Sequence, residues 1–116
     1  MKIGCDLTDV ERIRKAASRE AFLHHVYTPE ELAAAGGDPQ RLAGFYAAKE
    51  AFSKAMGCGL SGVELREVEV CHLPSGAPYL RLSGKTAARF GAVKTQLSIS
   101  HERTMAMATV LVEDRS

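Results

Sequence analysis

Apolar and polar positions alternate over residues 2–7, which predicts a strand. Ile3, Cys5 and Leu7 share one face; Gly4 and Asp6 share the other. Thr8-x-x-Glu11 then reads as a capping box, so a helix is expected from there to about residue 18, with Val10, Ile13 and Ala17 as its apolar face. A second box, Thr28-Pro29-Glu30-Glu31, predicts a short helix with proline in the favoured first position, stopped by Gly36-Gly37. Asp38-Pro39 opens the longest helix, about 39–57, which Gly57 and Gly59 are expected to close.

The second half has the period of strands. Residues 66–73 alternate, with Val68 and Val70 on one face, and Pro74-Ser75-Gly76-Ala77 reads as a turn into a return strand over 78–82. Residues 84–92 suggest a short helix. Residues 95–100 alternate with Leu97 and Ile99 inward and Ser98 and Ser100 outward. The last strand, about 104–113, is apolar on both faces, so it belongs inside a sheet or against another subunit. Helices first and most strands later predict an α+β fold, with a largely antiparallel sheet packed with a long central helix.

A chain of 116 residues fits one domain, 1–116. A net charge of +1 excludes the global basicity of a nucleic-acid coat, so any anion recognition must be local. No run approaches the ~20 apolar residues that span a bilayer, and MKIGCDLTDV has no secretory pattern. Cys5, Cys58 and Cys71 are far apart and odd in number. Neither they nor the histidines have zinc-ligand spacing, which leaves reduced thiols and a cytoplasmic protein as the expectation.

Five places carry candidate chemistry. Lys49, Glu50 and Lys54 lie on the long helix, where Glu50 and Lys54 share a face with Ala43, Tyr46 and Ala47. They are either a solvated ion pair or part of a site. Asp6 either helps to cap the following helix or joins Glu50 as a two-carboxylate magnesium set, with Gly4 leaving room for a ligand. Ser98-Ile99-Ser100-His101 ends a strand, where His101 is either a hydrogen-bonded edge residue or a phosphate contact. Gly57-Cys58-Gly59 is either a helix stop or a source of amides for an anion. No Gly-x-Ser-x-Gly elbow supports a serine-hydrolase triad. The cations Arg12, Arg14, Lys15 and Arg19 give a local excess of positive charge. Arg12, Lys15 and Arg19 are spaced to line one face of a helix, suited to an acidic partner.

Taken in order, Ile3-Gly4-Cys5-Asp6-Leu7, Tyr27-Thr28-x-x-Glu31, the run from Ala47 to Gly59, Gly76-x-Pro78 and Ser98-Ile99-Ser100-His101 resemble holo-acyl-carrier-protein synthase, the small bacterial branch of the 4′-phosphopantetheinyl transferases. The resemblance covers about residues 2–112. It implies transfer of phosphopantetheine from coenzyme A to a serine of apo acyl carrier protein, with release of 3′,5′-ADP. It also implies magnesium held by Asp6 and Glu50, with Glu50 and Lys54 as catalytic residues and Lys54 at the pyrophosphate. Gly57, Ser100 and His101 join Lys54 as candidate coenzyme contacts, and Arg12, Arg14, Lys15 and Arg19 as the carrier-binding set. It further implies a homotrimer with active sites at subunit interfaces. One departure stands out: where the family commonly has arginine, this chain has Phe45, and Arg41 lies one turn earlier. Two other readings use the same residues. One is a magnesium-dependent phosphohydrolase of coenzyme A or nucleotides; the other is a non-catalytic coenzyme A- or carrier-binding subunit.

Overall fold

The computed structural model describes residues 1–58, 62–91 and 93–114. The element order is β1 (Lys2–Asp9), α1 (Val10–Ala16), α2 (Glu20–Val26), α3 (Pro29–Ala35), α4 (Pro39–Ala55), a 3-10 turn (Leu65–Glu67), β2 (Val68–His72), β3 (Pro78–Leu82), α5 (Gly84–Phe90), β4 (Val93–His101) and β5 (Met105–Asp114). The strands form two antiparallel sheets: a three-stranded one in the order β1-β5-β4, and the β2-β3 hairpin. The α+β architecture is the expected one, and the last strand does lie inside its sheet.

The long helix starts as its sequence requires. Asp38 caps it by accepting from the Gln40 N–H at 2.9 Å, and Pro39 occupies the first turn, where a missing N–H costs nothing. Ala43, Ala47, Ala48 and Ala51 are fully buried on α4, and small side chains let the helix lie close on the sheet. The sheet answers with Ala106, Ala108, Val110 and Val112, all fully buried on one face of β5.

Gly4 has a different reason from the one its sequence suggested. A Cβ there would meet the Ala51 carbonyl oxygen at 2.1 Å and the Ala55 nitrogen at 2.6 Å. The space beside Gly4 is therefore filled by the backbone of α4, not kept for a ligand. Gly4→Ala must push the helix off the strand. Overpacking of this kind costs about 1–3 kcal/mol, and urea titration should show a loss in that range. An unchanged midpoint would mean that β1 and α4 are not this close.

Several boundaries shift. Asp9, not Thr8, caps α1 by accepting from the Glu11 and Arg12 N–H groups, because β1 runs on to Asp9. That helix ends at Ala16, and Arg19 stands in extended conformation before α2. The stripe expected from Arg12 through Lys15 to Arg19 is therefore not continuous on one helix. The strand over 66–73 shortens to Val68–His72 behind the 3-10 turn, and the strand over 95–100 lengthens to Val93–His101. The long helix, expected to about residue 57, ends at Ala55; Gly59, expected to help close it, and the last residue of the 84–92 helix lie outside the described residues.

The α3 capping box is as expected, and it does more than start a helix. Thr28 accepts from the Glu31 N–H, while the Glu31 carboxylate accepts from the Thr28 N–H at 2.9 Å. Glu31 also accepts from the Val70 N–H at 2.8 Å and from the Lys49 ammonium at 2.8 Å. Lys49 donates further to the carbonyls of Leu65 and Val68 at 3.0 and 2.8 Å. This fully buried pair joins α3, α4 and the hairpin at one point. Burial pulls the Lys49 ammonium below its ordinary value, and the Glu31 charge works against that pull.

Candidate functional site

Asp6 and Glu50 come together at the β1 flank of α4. Asp6 lies on the side of β1 that faces the helix, in register with Ala108 of β5 and, through it, with Ile99 of β4. The Thr8 hydroxyl donates to Asp6 Oδ2, and the Lys54 ammonium donates to Asp6 Oδ1 at 3.0 Å. Lys54 thus pairs across to Asp6 and is not merely a solvated partner for Glu50 on its own helix. That hydrogen bond raises the Lys54 ammonium above its usual value, so Lys54 is held as a cation.

Glu50 is half-buried. Burial first, and the Asp6 charge second, push its carboxyl above the ordinary carboxylate value; the neighbouring Tyr46 hydroxyl and the charges of Lys54 and Arg12 pull the other way. Arg12 is exposed but lays its guanidinium 5.5 Å from the centre of the Tyr46 ring. Two hard-oxygen carboxylates from different elements, near enough for the Asp6 charge to raise the Glu50 carboxyl, fit a divalent cation. Among the described residues no group of three or more His, Cys, Asp or Glu side chains could hold a metal. A cation here would complete its shell with water and substrate oxygens, which is the habit of magnesium.

A second group lies on the other flank of α4. A cavity of about 530 Å³ is lined by Arg41, Phe45, His72, Pro78 and His101 among others. The Phe45 and His72 rings are 5.7 Å apart. Arg41 shares this cavity with Phe45, donates to the Ala34 carbonyl at 3.1 Å, and has its Nε 3.9 Å from Asp38 Oδ2. At about 3.6 residues per turn, positions 46, 50 and 54 point away from positions 41 and 45. In the sheet, His101 is in register with Ala106 and, through it, Thr8, so it stands two strands from β1, about 10 Å across. The structure therefore does not bring His101 to Asp6 and Glu50 within one chain.

Other expected contacts also separate. Ser98 and Ser100 alternate with Ile99 and His101, so they face the opposite side of β4, and Ser100 stands with Leu7 and Met107. Gly57 has φ 72° and follows α4 directly. Its N–H and that of Cys58 already donate to the Lys54 and Ser53 carbonyls at 3.0 Å, so they close the helix and are not offered to an anion. Arg14 is paired with Glu11 on the exposed side of α1. Lys15, on α1, and Arg19, just before α2, are exposed.

Sequence reasoning missed the burial of Lys49 and its pairing with Glu31.

The profile of the 4′-phosphopantetheinyl transferase superfamily matches residues 2–109. The holo-[acyl-carrier-protein] synthase of Gloeobacter violaceus is 43% identical, over 96% of this chain and 91% of its own length. The crystal structure of the Helicobacter pylori holo-[acyl-carrier-protein] synthase in complex with coenzyme A superposes with a TM-score of 0.85 at 31% identity. That match covers 96% of this chain and 99% of the other. The Bacillus anthracis holo-(acyl-carrier-protein) synthase, in complex with CoA (3′,5′-ADP), gives 0.82 at 33% identity, over 98% and 96%.

Proposed function

The chain belongs to the 4′-phosphopantetheinyl transferase superfamily, in its holo-[acyl-carrier-protein] synthase branch, and from that premise we propose how its residues divide the work. The reaction takes the 4′-phosphopantetheine group from coenzyme A to a serine of apo acyl carrier protein. A serine oxygen–phosphorus bond forms, the anhydride bond of the coenzyme's pyrophosphate breaks, 3′,5′-ADP leaves, and the serine proton must be taken up. The observation that carries the residue assignment is the meeting of Asp6, Glu50 and Lys54 at one flank of α4.

Asp6 and Glu50 would hold magnesium, which when bound supplies charge neutralisation at the pyrophosphate. Lys54, kept cationic and about half exposed, can leave Asp6 for an incoming phosphate oxygen and offset the charge that builds on the leaving group. A lysine whose proton is held this firmly is a poor base. Arg41 stands where it can serve the coenzyme's phosphates in place of an arginine at position 45, and His101 lines the same cavity. Arg12 belongs to the metal flank, which leaves Lys15 and Arg19, with the paired Arg14, to attract an acidic carrier. The test is 3′,5′-ADP release with and without apo-carrier: a transferase requires the carrier, whereas a phosphohydrolase releases nucleotide without it.

The reading extends to assembly. The sheet face turned away from α4 has Ile3, Leu7 and Met107 exposed at 66%, 64% and 46%. The three lie on adjacent strands β1 and β5, with Leu7 in register with Met107. An uncovered apolar face in so small a chain is suited to a further copy. His101 and Glu50 lie on different flanks of α4, so a site using both would draw them from two copies, as in a homotrimer with sites between subunits. Light scattering should give three times the 12.5 kDa chain mass, and Leu7→Glu should shift it toward one. A mass of 12.5 kDa for the unaltered chain at working concentration would reject the assembly.

Among the described residues no helix is long and apolar enough to cross a membrane. Cys5 and Cys71 are free thiols, which suits a reducing compartment such as the cytoplasm.

A further inference from the structure

His72 ends β2 on the same face as Val68 and Val70, which are buried in the core shared with α4. Its imidazole lies 5.7 Å from the Phe45 ring between centroids, inclined at 51°, the separation of a contacting aromatic pair. Phe45 is only 5% exposed, so its ring is a fixed floor, and His72 stands exposed above it. A guanidinium buried so deeply would need a counter-charge. A phenyl ring needs none, and it gives the imidazole a seat. Both rings line the cavity of about 530 Å³, together with Arg41 and His101. Pro78, paired with His72 across the hairpin, and Ile99 extend the apolar wall. Among the described residues no carboxylate lines this cavity, whereas Arg41, His72 and His101 all carry donors for an anion. Arg41 already donates to the Ala34 carbonyl and has Asp38 beside it, so its charge is partly taken up.

We propose that His72, seated on Phe45, is a specificity-determining residue of this chain, which donates to the 3′-phosphate of coenzyme A. Two of the coenzyme's phosphates form the anhydride that the metal flank and Lys54 would hold. The remaining one is a phosphomonoester that departs on 3′,5′-ADP, and it needs cationic donors away from that flank. The hairpin cavity supplies them on the other flank of α4, so in an assembly with sites between subunits they come from the neighbouring copy. A phosphomonoester accepts short, charge-assisted hydrogen bonds, and the wall of Phe45, Pro78 and Ile99 suits the flat base beside it. Position 45 is thereby put to a different use from the family's arginine: its ring holds a donor that the hairpin provides. The inference rests on the reading of the chain as a coenzyme A-dependent transferase, and its test separates the two.

The test is calorimetric titration of the full chain with 3′,5′-ADP and with 5′-AMP, in Mg²⁺ and without carrier. The two nucleotides differ only in the 3′-phosphate, and the unaltered chain should bind 3′,5′-ADP more tightly. His72→Phe keeps a ring on Phe45 and removes the donors. It should weaken 3′,5′-ADP binding about tenfold, the scale of one hydrogen bond to a charged group, and leave 5′-AMP binding as it was. In transfer assays the same variant should raise KM for coenzyme A by a similar factor, with KM for 3′-dephospho-coenzyme A and the melting temperature unmoved. Phe45→Leu removes the seat and keeps the position apolar, so it should reduce the preference in the same direction. A merely structural His72 would, as phenylalanine, alter both nucleotides equally or neither, and either result overturns the proposal. Full preference in Phe45→Leu overturns the pairing of the two rings. If His72→Phe loses the preference but the unaltered chain moves no phosphopantetheine to a carrier, the phosphate contact stands and the transferase reading falls. If transfer proceeds and the preference survives His72→Phe, only the role of His72 is refuted.

Discussion

Lys49→Met should cost the fold about 3–5 kcal/mol, the usual penalty for removing one partner of a buried ion pair. The Lys49 ammonium has three acceptors for its three protons: Glu31 Oε1 and the carbonyls of Leu65 and Val68. Methionine has similar length and fills the space, so the loss measures the charge and its hydrogen bonds rather than a cavity. It leaves the Glu31 carboxylate fully buried without a counter-ion and takes the ammonium donor from the Val68 carbonyl. A domain of this size has only about 5–15 kcal/mol in hand, so a large share of its stability should go. Chemical denaturation in urea is the measurement. A loss under about 1 kcal/mol, the scale of a surface pair, would show that Lys49 is not the joint between α3, α4 and the hairpin.

Removal of either carboxylate should stop the chemistry without unfolding the chain. Asp6→Ala and Glu50→Ala should each lower the transfer rate by about 10³-fold, the equivalent of ~4 kcal/mol of lost charge stabilisation. Neither side chain belongs to the apolar core, and Glu50 is half-buried at a helix flank, so melting temperatures should change little. The pH dependence has a definite sign. Glu50 holds its proton more tightly folded than unfolded, because burial and Asp6 raise it above 4.5. Its contribution to stability is therefore complete below the ordinary carboxylate value and is lost as pH rises through the raised one. A divalent cation needs the ionised form, so it should restore that stability at neutral pH and lose its effect toward pH 4.5. Thermal melts with and without Mg²⁺ across this range test the sign. A Mg²⁺-induced rise that is as large at the acid end as at neutrality would place the ion elsewhere.

What could be read from the sequence was local. Asp38-Pro39 and Thr28-x-x-Glu31 mark helix starts through bonds made within a few residues, and both helices begin where those bonds require. The turn at 74–77 between two alternating runs gave the hairpin for the same reason. The helix over Glu20–Val26 went unseen because Arg19 supplies no side-chain cap, and its two histidines blur the apolar period. Thr8 has the chemistry of a cap, but its hydroxyl is bonded to Asp6 instead, and Asp9 takes the role.

The candidate site divides along the same line. Asp6, Glu50 and Lys54 could be named because they stand in a recognisable order, but their pairing could not. Lys54 reaches an acid 48 residues away, and Lys49 one 18 residues away. Four-residue spacing favours Glu50 with Lys54 on the helix surface, and only the packing of β1 under α4 turns Lys54 to Asp6. Gly4 was noticed for the right property, its missing side chain, and given the wrong neighbour. His101 and Ser100 are adjacent in sequence, so the strand's alternation sends them to opposite faces. A stretch that reads as one motif therefore serves two surfaces.

The most direct test of the account is the intact mass of an apo acyl carrier protein after incubation with coenzyme A, Mg²⁺ and this chain, beside a carrier whose acceptor serine is replaced by alanine. The account predicts that the unaltered carrier gains the mass of one phosphopantetheine group, that the alanine carrier gains none, and that Glu50→Ala abolishes the gain. Coenzyme A consumed with the carrier's mass unchanged would contradict it.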